Sequence, residues 1–212
     1  MRSIALFGGT FNPVHYGHLH FARACLERFL FEELWLIPAC IPPHKVAEDL
    51  ASERDRLEML RLGISGESRM RVSDVEYRLG GKSYTIYTLE QLSREEPDGE
   101  FTLLIGSDML LSFDRWFRWE EILQRARLLA AARMERDLPL LQKKRDSFGS
   151  LAERVTIAEI PVLPLSSTEI REAIRAGKDC RPLLPDTVAD YIREKGLYRK
   201  KEVFYAFILT NH

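Results

Sequence analysis

Six short apolar runs, most of them separated by helical patterns, constrain the fold of this chain more than any other feature of its sequence. Continuous apolar runs of this kind are typical of strands that are buried on both faces. The runs are Ile4–Phe7, Leu34–Ile37, Met70–Val75, Phe101–Ile105, Leu128–Ala131 and Val155–Ile160. Strands that alternate with helices usually form a parallel sheet. The predicted fold is therefore α/β, a Rossmann-like open parallel sheet with helices on both faces.

Mostly apolar residues at helical spacing place helices between these strands. The predicted sets are Leu57, Leu60 and Ile64, then Ile86, Leu89 and Leu92, then Ile122, Arg125 and Leu129, with a polar stretch from Gln142 to Arg154. After Pro164 we predict two helices, at 166–176 and 186–195, each ended by a glycine. We predict one domain over residues 1–198, in which 164–198 is a small C-terminal helical portion, and a tail at 199–212 without an assigned role.

Composition and charge exclude several classes of function. Among the 212 residues, 31 Lys and Arg nearly balance 32 Asp and Glu, so no overall charge attracts the chain to nucleic acid or to a membrane. The three cysteines form no C-x-x-C pair, which argues against a disulfide framework or a zinc ribbon. No apolar run approaches the roughly 20 residues of a membrane span. These features favour a soluble cytoplasmic protein without nucleic-acid or membrane partners.

The segment from Gly8 to His18, GGTFNPVHYGH, joins the first predicted strand to a helix through glycines. A helix N-terminus offers unpaired N–H groups and a partial positive charge to an anion. His15 and His18 are three residues apart, so on a helix they share a face and can both donate to one phosphate. This segment therefore predicts a phosphate site.

Two further motifs follow predicted strands. Lys45 lies in Pro42-Pro43-His44-Lys45, where two prolines stiffen the loop and hold the lysine outward, although an exposed turn with a solvated lysine is the alternative. Asp108 ends Ile105-Gly106-Ser107-Asp108, at the rim where a ribose or a metal would be held. A simple turn or helix cap explains Asp108 equally well.

Three more motifs allow both a structural and a functional interpretation. Ser166 and Glu169 form a capping box, and the same helix start offers Ser167, Thr168 and Arg171 to a triphosphate. Trp116 and Trp119 either stack on a flat heterocycle or pack in the core. Tyr84 and Thr85, in the first turn of a helix, either receive a carboxylate on their N–H groups and the Thr85 hydroxyl or form an ordinary helix start.

In this order, the motifs GGTFNPVHYGH, PPHK, GKSYT, GSD with WFRW, and SSTEIR resemble the bacterial nicotinate-nucleotide adenylyltransferase family of the His-x-Gly-His nucleotidyltransferase superfamily. The resemblance covers roughly Arg2 to Tyr198. It implies transfer of an adenylyl group from ATP to nicotinate mononucleotide, giving deamido-NAD and pyrophosphate in NAD biosynthesis. Direct in-line attack of the acceptor phosphate on the α-phosphorus needs no protein nucleophile, so catalysis would be positioning and electrostatics.

The resemblance also implies roles for individual residues. Those expected to bind ATP are Gly8, Gly9, Thr10, His15, His18, Asp108, Ser167, Thr168 and Arg171. Those expected to bind the acceptor are Thr10, Lys45, Tyr84, Thr85 and Trp116. Those expected to act in catalysis are His18, His15, Lys45 and Arg171. Mg²⁺ is expected to arrive on the ATP phosphates, and no protein metal site is predicted.

Other functions remain open at this level. Transferases of the same superfamily act on nicotinamide mononucleotide or pantetheine phosphate, or use CTP with a polyol phosphate, and the choice of acceptor separates them. A chain of another class, a non-catalytic nucleotide-binding sensor, would bind nucleotide without turnover. The sequence is also compatible with a homo-oligomer.

Overall fold

A computed structural model describes residues 1–41, 49–132, 135–160 and 163–199. Within them, six strands form one parallel sheet in the order β3-β2-β1-β4-β5-β6. The strands are β1 Arg2–Gly9, β2 Glu33–Pro38, β3 Met70–Val72, β4 Gly99–Gly106, β5 Arg127–Ala132 and β6 Val155–Glu159. The predicted open parallel sheet is confirmed.

Helices cover both faces of this sheet, as predicted. The α-helices are α1 Tyr16–Arg28, α2 Glu53–Gly63, α3 Val75–Leu79, α4 Thr85–Glu95, α5 Ser107–Leu111, α6 Trp119–Arg125, α7 Leu138–Asp146, α8 Ser167–Arg175 and α9 Asp186–Lys195. Strand residues alternate between two cores: Ala5 packs with α1, α2, α8 and α9, whereas Ile4 and Leu6 pack with α4, α6 and α7. The two C-terminal helices thus complete one core, and residues 200–212 of the predicted tail lie outside the described residues.

Two predicted elements are wrong in part. β3 ends at Val72, and Val75, predicted as its last residue, begins α3. Val75 is apolar because it is fully buried against α4, not because it continues the strand. Leu129, predicted on the helix of Ile122, lies in β5, since α6 ends at Arg125. The polar stretch 142–154 forms the end of α7 and the 3₁₀ helix Gly149–Arg154.

The carboxyl edge of the sheet, where the strands end, is the setting for the predicted site. Leu6 of β1 lies opposite Leu103 of β4, and these strands end at Gly9 and Gly106. Gly9 also lies opposite Pro38, the last residue of β2. Strand order reverses at β1, and open α/β sheets bind ligands in the crevice at such a reversal. The loops after β1, β2 and β4 therefore begin at one crevice.

Candidate functional site

His15 and His18 form a stacked pair at the start of α1. His15 is the N-cap residue, with extended backbone (φ −148°), so it stands just before the helix rather than within it. Its ring lies parallel to that of His18, with centroids 3.7 Å apart and an interplanar angle of 25°. A Cβ on Gly17 would approach the His15 ring to 3.0 Å, so glycine leaves room for the pair.

The environment of this pair keeps both rings neutral. Burial lowers the pKa of His15 to about 4. Burial, together with repulsion from His15, lowers the pKa of His18 to about 3. Within the described residues, the buried Nδ1 atoms of both rings have no hydrogen-bond partner. An unsatisfied buried polar atom costs about 1–3 kcal/mol, so a ligand that pairs with these nitrogens would recover that energy.

The loop that leads into the pair has a constrained backbone. Phe11 has φ 47°, in the left-handed region, and its ring lies over Gly9. A Cβ on Gly9 would come within 3.0 Å of that ring, so glycine is needed there. A Cβ on Gly8 would contact no described atom within 4 Å, so the space over Gly8 is open. Thr10 follows directly and is half-buried.

The N-terminus of α8 is fastened to the same loop. Ser166 caps α8 by accepting a hydrogen bond from the Thr168 N–H (3.2 Å), although the capping box predicted a bond to residue 169. The Ser167 hydroxyl donates to the Pro13 carbonyl (2.9 Å), and Arg171 Nη1 donates to the Asn12 carbonyl (2.9 Å). Two helix N-termini and one guanidinium therefore meet at the loop after β1.

Asp108 lies at the neighbouring strand end, in α5 directly after β4. Its Oδ1 would be 2.8 Å from a Cβ on Gly106, so the carboxylate folds back over that glycine. The side chain is exposed at the carboxyl edge. This position fits the predicted rim carboxylate.

The acceptor-side residues are only partly arranged as predicted. Tyr84 is the N-cap of α4, not a member of its first turn, and its N–H donates to the Lys82 carbonyl (2.9 Å). That N–H is therefore unavailable to a carboxylate, because the turn before α4 already uses it. Thr85 is the first residue of the helix. Its hydroxyl and the N–H groups of the first turn remain the predicted carboxylate contacts.

Both tryptophans pack against the core on the α4, α6 and α7 face, and stacking of Trp116 on a heterocycle stays a prediction. Trp119 packs on Phe148, with ring centroids 5.1 Å apart, in the core on the α4, α6 and α7 face. Trp116 is half-buried and contacts Phe113 at 5.0 Å. The adjacent Phe117 contacts the Tyr84 ring at 5.0 Å, so the Trp116 segment lies beside the start of α4. Lys45 lies outside the described residues.

The loop after β1 is supported by Asn12, Tyr198 and Arg56, to which the sequence analysis gave no role. Asn12 Nδ2 donates to the Asp49 carbonyl (3.0 Å), while its Oδ1 accepts from the Ala51 N–H (3.0 Å) and the Tyr198 hydroxyl (2.7 Å). Arg56 is fully buried, and among the described residues it donates only to backbone carbonyls. A signal existed for Arg56, since it lies four residues before Leu60 on the buried stripe of α2.

The described part of the chain contains no group of three or more His, Cys, Asp or Glu side chains that could hold a metal ion. None of its helices is long and apolar enough to span a membrane.

Comparison with known proteins gives a consistent result. Residues 6–173 match the model of the cytidylyltransferase-like family. A protein named "Probable nicotinate-nucleotide adenylyltransferase" from Synechococcus sp. (strain JA-3-3Ab) is 40% identical over 197 residues, covering 93% of this chain and 95% of that protein. A protein of the same name from Geobacillus thermodenitrificans (strain NG80-2) is 36% identical over 202 residues, covering 93% and 87%. A Plasmodium falciparum nicotinic acid mononucleotide adenylyltransferase, solved in complex with NaAD, has a TM-score of 0.75 at 20% identity over 93% of this chain and 98% of that one, which supports the fold.

Proposed function

Because this chain belongs to the cytidylyltransferase-like family, and within it to the nicotinate-nucleotide adenylyltransferases, we propose that it transfers the adenylyl group of ATP to nicotinate mononucleotide. An oxygen of the acceptor phosphate forms a bond to the α-phosphorus of ATP while the bond from that phosphorus to the β-bridging oxygen breaks. The products are deamido-NAD and pyrophosphate. The protein forms no covalent bond, so its contribution is positioning and electrostatic stabilisation.

The observation that carries this proposal is the junction of α1 and α8 at one loop. The stacked histidines leave two buried nitrogens without partners, and Arg171 lies against the same loop through the Asn12 carbonyl. Helix N-termini bind phosphates through their N–H groups and their partial positive charge. A triphosphate would satisfy both histidines and the guanidinium together.

The main obstacle to the reaction is the approach of two anions. Two unit charges about 4 Å apart repel by about 4 kcal/mol at an effective dielectric of 20. Both histidines are neutral at pH 7, so they act as hydrogen-bond donors and not as fixed charges. Positive charge must then come from Arg171, from the two helix N-termini, from the proposed Lys45, and from a metal on the triphosphate.

We propose Mg²⁺ as that metal, since nucleotidyltransferases generally use a divalent cation. Triphosphate oxygens are the hard ligands that Mg²⁺ prefers, and this ion commonly binds through phosphates and one or two carboxylates. The exposed carboxylate of Asp108 at the carboxyl edge fits that requirement or a ribose hydroxyl. The ion would neutralise charge on the leaving pyrophosphate.

The remaining assignments come from the motifs and from the family to which the chain belongs. Gly8 would leave room for phosphate at the end of β1, beside Gly9 and Thr10, and Ser167 and Thr168 would line the triphosphate at the start of α8. Thr10 and Lys45 would also contact the acceptor phosphate, while Thr85 would receive the pyridine carboxylate and Trp116 would stack on the ring. We further propose a cytoplasmic location, which the three free, buried cysteine thiols support.

A pyrophosphate-release assay with a panel of acceptors tests the function. With ATP, nicotinate mononucleotide should be the best acceptor, ahead of nicotinamide mononucleotide and pantetheine phosphate. An amide presents a donor NH₂ to at least one N–H donor of the site, and each mispaired group costs roughly 5- to 150-fold. Preference for another acceptor would identify a different transferase, and ATP binding by calorimetry without turnover on any acceptor would identify a sensor.

Thr85→Val sharpens the same assay. It removes the hydroxyl proposed to bind the carboxylate, so kcat/KM for nicotinate mononucleotide should fall while that for the amide changes little. Thr156→Val, at an exposed threonine of β6, is the matched control and should leave both unchanged. Equal kcat/KM for acid and amide in the wild-type protein would contradict the carboxylate site.

A further inference from the structure

We propose that Arg56 is a positioning residue for adenylyl transfer, which holds the loop after β1 and the loop after β2 in the alignment that in-line attack requires. This inference rests on the proposed function. Its basis is a fully buried guanidinium whose hydrogen bonds all go to the backbone of loops at the carboxyl edge.

The hydrogen bonds of Arg56 join three segments. Nη1 donates to the carbonyl of Thr10 (3.0 Å), after β1, and to that of Ala39 (2.6 Å), after β2. Nη2 donates to the Cys40 carbonyl (3.4 Å), and Nε donates to the Ala51 carbonyl (3.2 Å) just before α2. The planar guanidinium presents its donors in a fixed fork, so these carbonyls take positions that the fork dictates.

Burying a cation is costly unless it is paired, and in the described residues no carboxylate forms an ion pair with Arg56. The Tyr77 ring contributes a cation–π contact at 5.3 Å. Four carbonyl dipoles and the attraction of the nearby buried Glu76 carboxylate add to the compensation. A core that required only apolar packing here would be better served by a leucine or methionine, so the hydrogen-bonded geometry itself explains this residue.

On the ATP side, Arg56 fixes the orientation of one peptide group. In a planar trans peptide the N–H points opposite to the C=O, so capture of the Thr10 carbonyl turns the Phe11 N–H away from Arg56. Within the described residues this N–H donates to no carbonyl or side chain. Phe11 follows Gly8 by three residues, and the space over Gly8 is open, so this N–H would be a donor for a phosphate oxygen bound there.

On the acceptor side, the same guanidinium reaches the start of α4 through Cys40. The Cys40 N–H donates to Ser83 Oγ (2.8 Å), and the Ser83 N–H donates to the Ile41 carbonyl (3.1 Å). Ser83 lies two residues before Thr85, the proposed carboxylate contact. Arg56 thus contacts the loop after β1 directly and the start of α4 through Cys40, and its loss would change the relative position of the two substrate sides more than the affinity of either.

Arg56→Lys tests this assignment, because it keeps the charge but replaces the fork with a single ammonium. We expect kcat to fall by about 10²-fold, as for a misplacement of roughly 1 Å, while the KM values for ATP and nicotinate mononucleotide change less than about threefold. The matched control is Arg154→Lys. Arg154 also donates to two carbonyls, of Leu123 and Gln124, but stands just before β6, at the opposite edge of the sheet. The control should lose thermal stability without losing kcat per folded protein.

Wild-type kcat in Arg56→Lys, with no more than the loss of Tm seen in the control, overturns the proposal. If Arg56→Lys does not fold, the neutral Arg56→Gln is assayed, since it buries no unpaired charge and retains two donors, and the same split between kcat and KM is expected. Failure of both variants to fold would assign Arg56 to the fold alone and also overturn the proposal. Absence of turnover by the wild-type protein with ATP and nicotinate mononucleotide refutes the proposed function instead, before Arg56 is tested.

Discussion

The polar side chains at the two edges of the sheet differ in whether they have hydrogen-bond partners. At the amino edge, where the strands begin, Arg2 donates to Glu33 (2.7 Å) and to Glu96 (2.8 Å), and the Trp35 indole also donates to Glu33 (2.6 Å). Arg71 stacks over Trp35 at 4.5 Å. At the carboxyl edge, His15 and His18 instead present buried nitrogens that have no partner in the described residues.

The amino edge therefore contributes to stability, whereas the carboxyl edge is the candidate ligand site. At the amino edge, burial would raise the pKa of Glu33, but the bonds from Trp35 and Arg2 outweigh it and lower that pKa. The charges there satisfy one another, so nothing further is required. In the described residues, the carboxyl edge leaves the two histidine nitrogens unsatisfied, as expected of the proposed phosphate site. Substitutions at the two edges should therefore change different measurable quantities.

The largest effect is expected from His18→Ala. It removes the proposed donor to the transferred phosphate, so kcat should fall by about 10²–10³, with little change in Tm. His15→Ala should cost less, if that ring mainly orients ATP. His20→Ala, on the same helix but outside the stacked pair, is the control and should retain wild-type kcat. Normal turnover by folded His18→Ala would remove the contrast between the two edges.

The second effect is a loss of stability at acidic pH that comes from the carboxyl edge. The pKa of His15 is about 4 in the folded chain and about 6.5 in the unfolded chain. Between these pH values the unfolded state binds more protons, so the stability of the fold decreases as the pH is lowered. At pH 5, relative to pH 7, His15 should cost about 2 kcal/mol of unfolding free energy. Urea unfolding of His15→Asn should show a decline smaller by about that amount. An identical decline in both proteins would contradict the neutral pair.

A smaller effect is expected from Arg171→Ala, which separates the two substrates. The KM for ATP should rise by about 10- to 100-fold, because the guanidinium would bind the distal phosphates through charge-assisted hydrogen bonds. The KM for the acceptor should rise less, whereas Lys45→Ala should show the reverse order. Steady-state kinetics with each substrate varied provides the measurement, and equal increases in both KM values would count against this division.

The smallest effect is expected from Arg2→Ala at the amino edge. Partly exposed ion pairs contribute about 0–1 kcal/mol each, so unfolding free energy should fall by about 1 kcal/mol and less at high salt. Because all of these contacts lie at the edge opposite the crevice, kcat and both KM values should stay within about twofold of wild type. A change in kcat as large as that of His18→Ala would show that the edges are coupled.

The sheet could be predicted from the sequence because burial on both faces makes each strand a continuous apolar run, which needs no long-range information to detect. The prediction failed at Val75, where a buried residue of a short helix extended the apolar pattern of β3. Apolar character reports burial and not backbone conformation, so short elements stay ambiguous.

The motifs gave the residues of the candidate site, but its internal bonding depends on contacts distant in sequence. The Tyr84 N–H is consumed by a local turn, and Arg56 bonds to carbonyls whose positions are set by the folded loops. The residue type does not show which partner a backbone N–H or carbonyl group has. The bonds of Tyr84 and Arg56 could therefore not be derived from composition or spacing. Only the placement of an arginine on the buried stripe of α2 gave a hint.

The hydrogen bond from Tyr198 to Asn12 links residues 186 positions apart, so it can form only late in synthesis. At a synthesis rate of about 5–20 residues per second, Tyr198 is added roughly 10–40 s after Asn12. Over that interval the nascent chain contains both histidines but not the Tyr198 hydrogen bond to the loop that precedes them. A chain that terminates before Tyr198 therefore contains the whole motif from Gly8 to His18 but lacks one of the hydrogen bonds that hold the loop after β1.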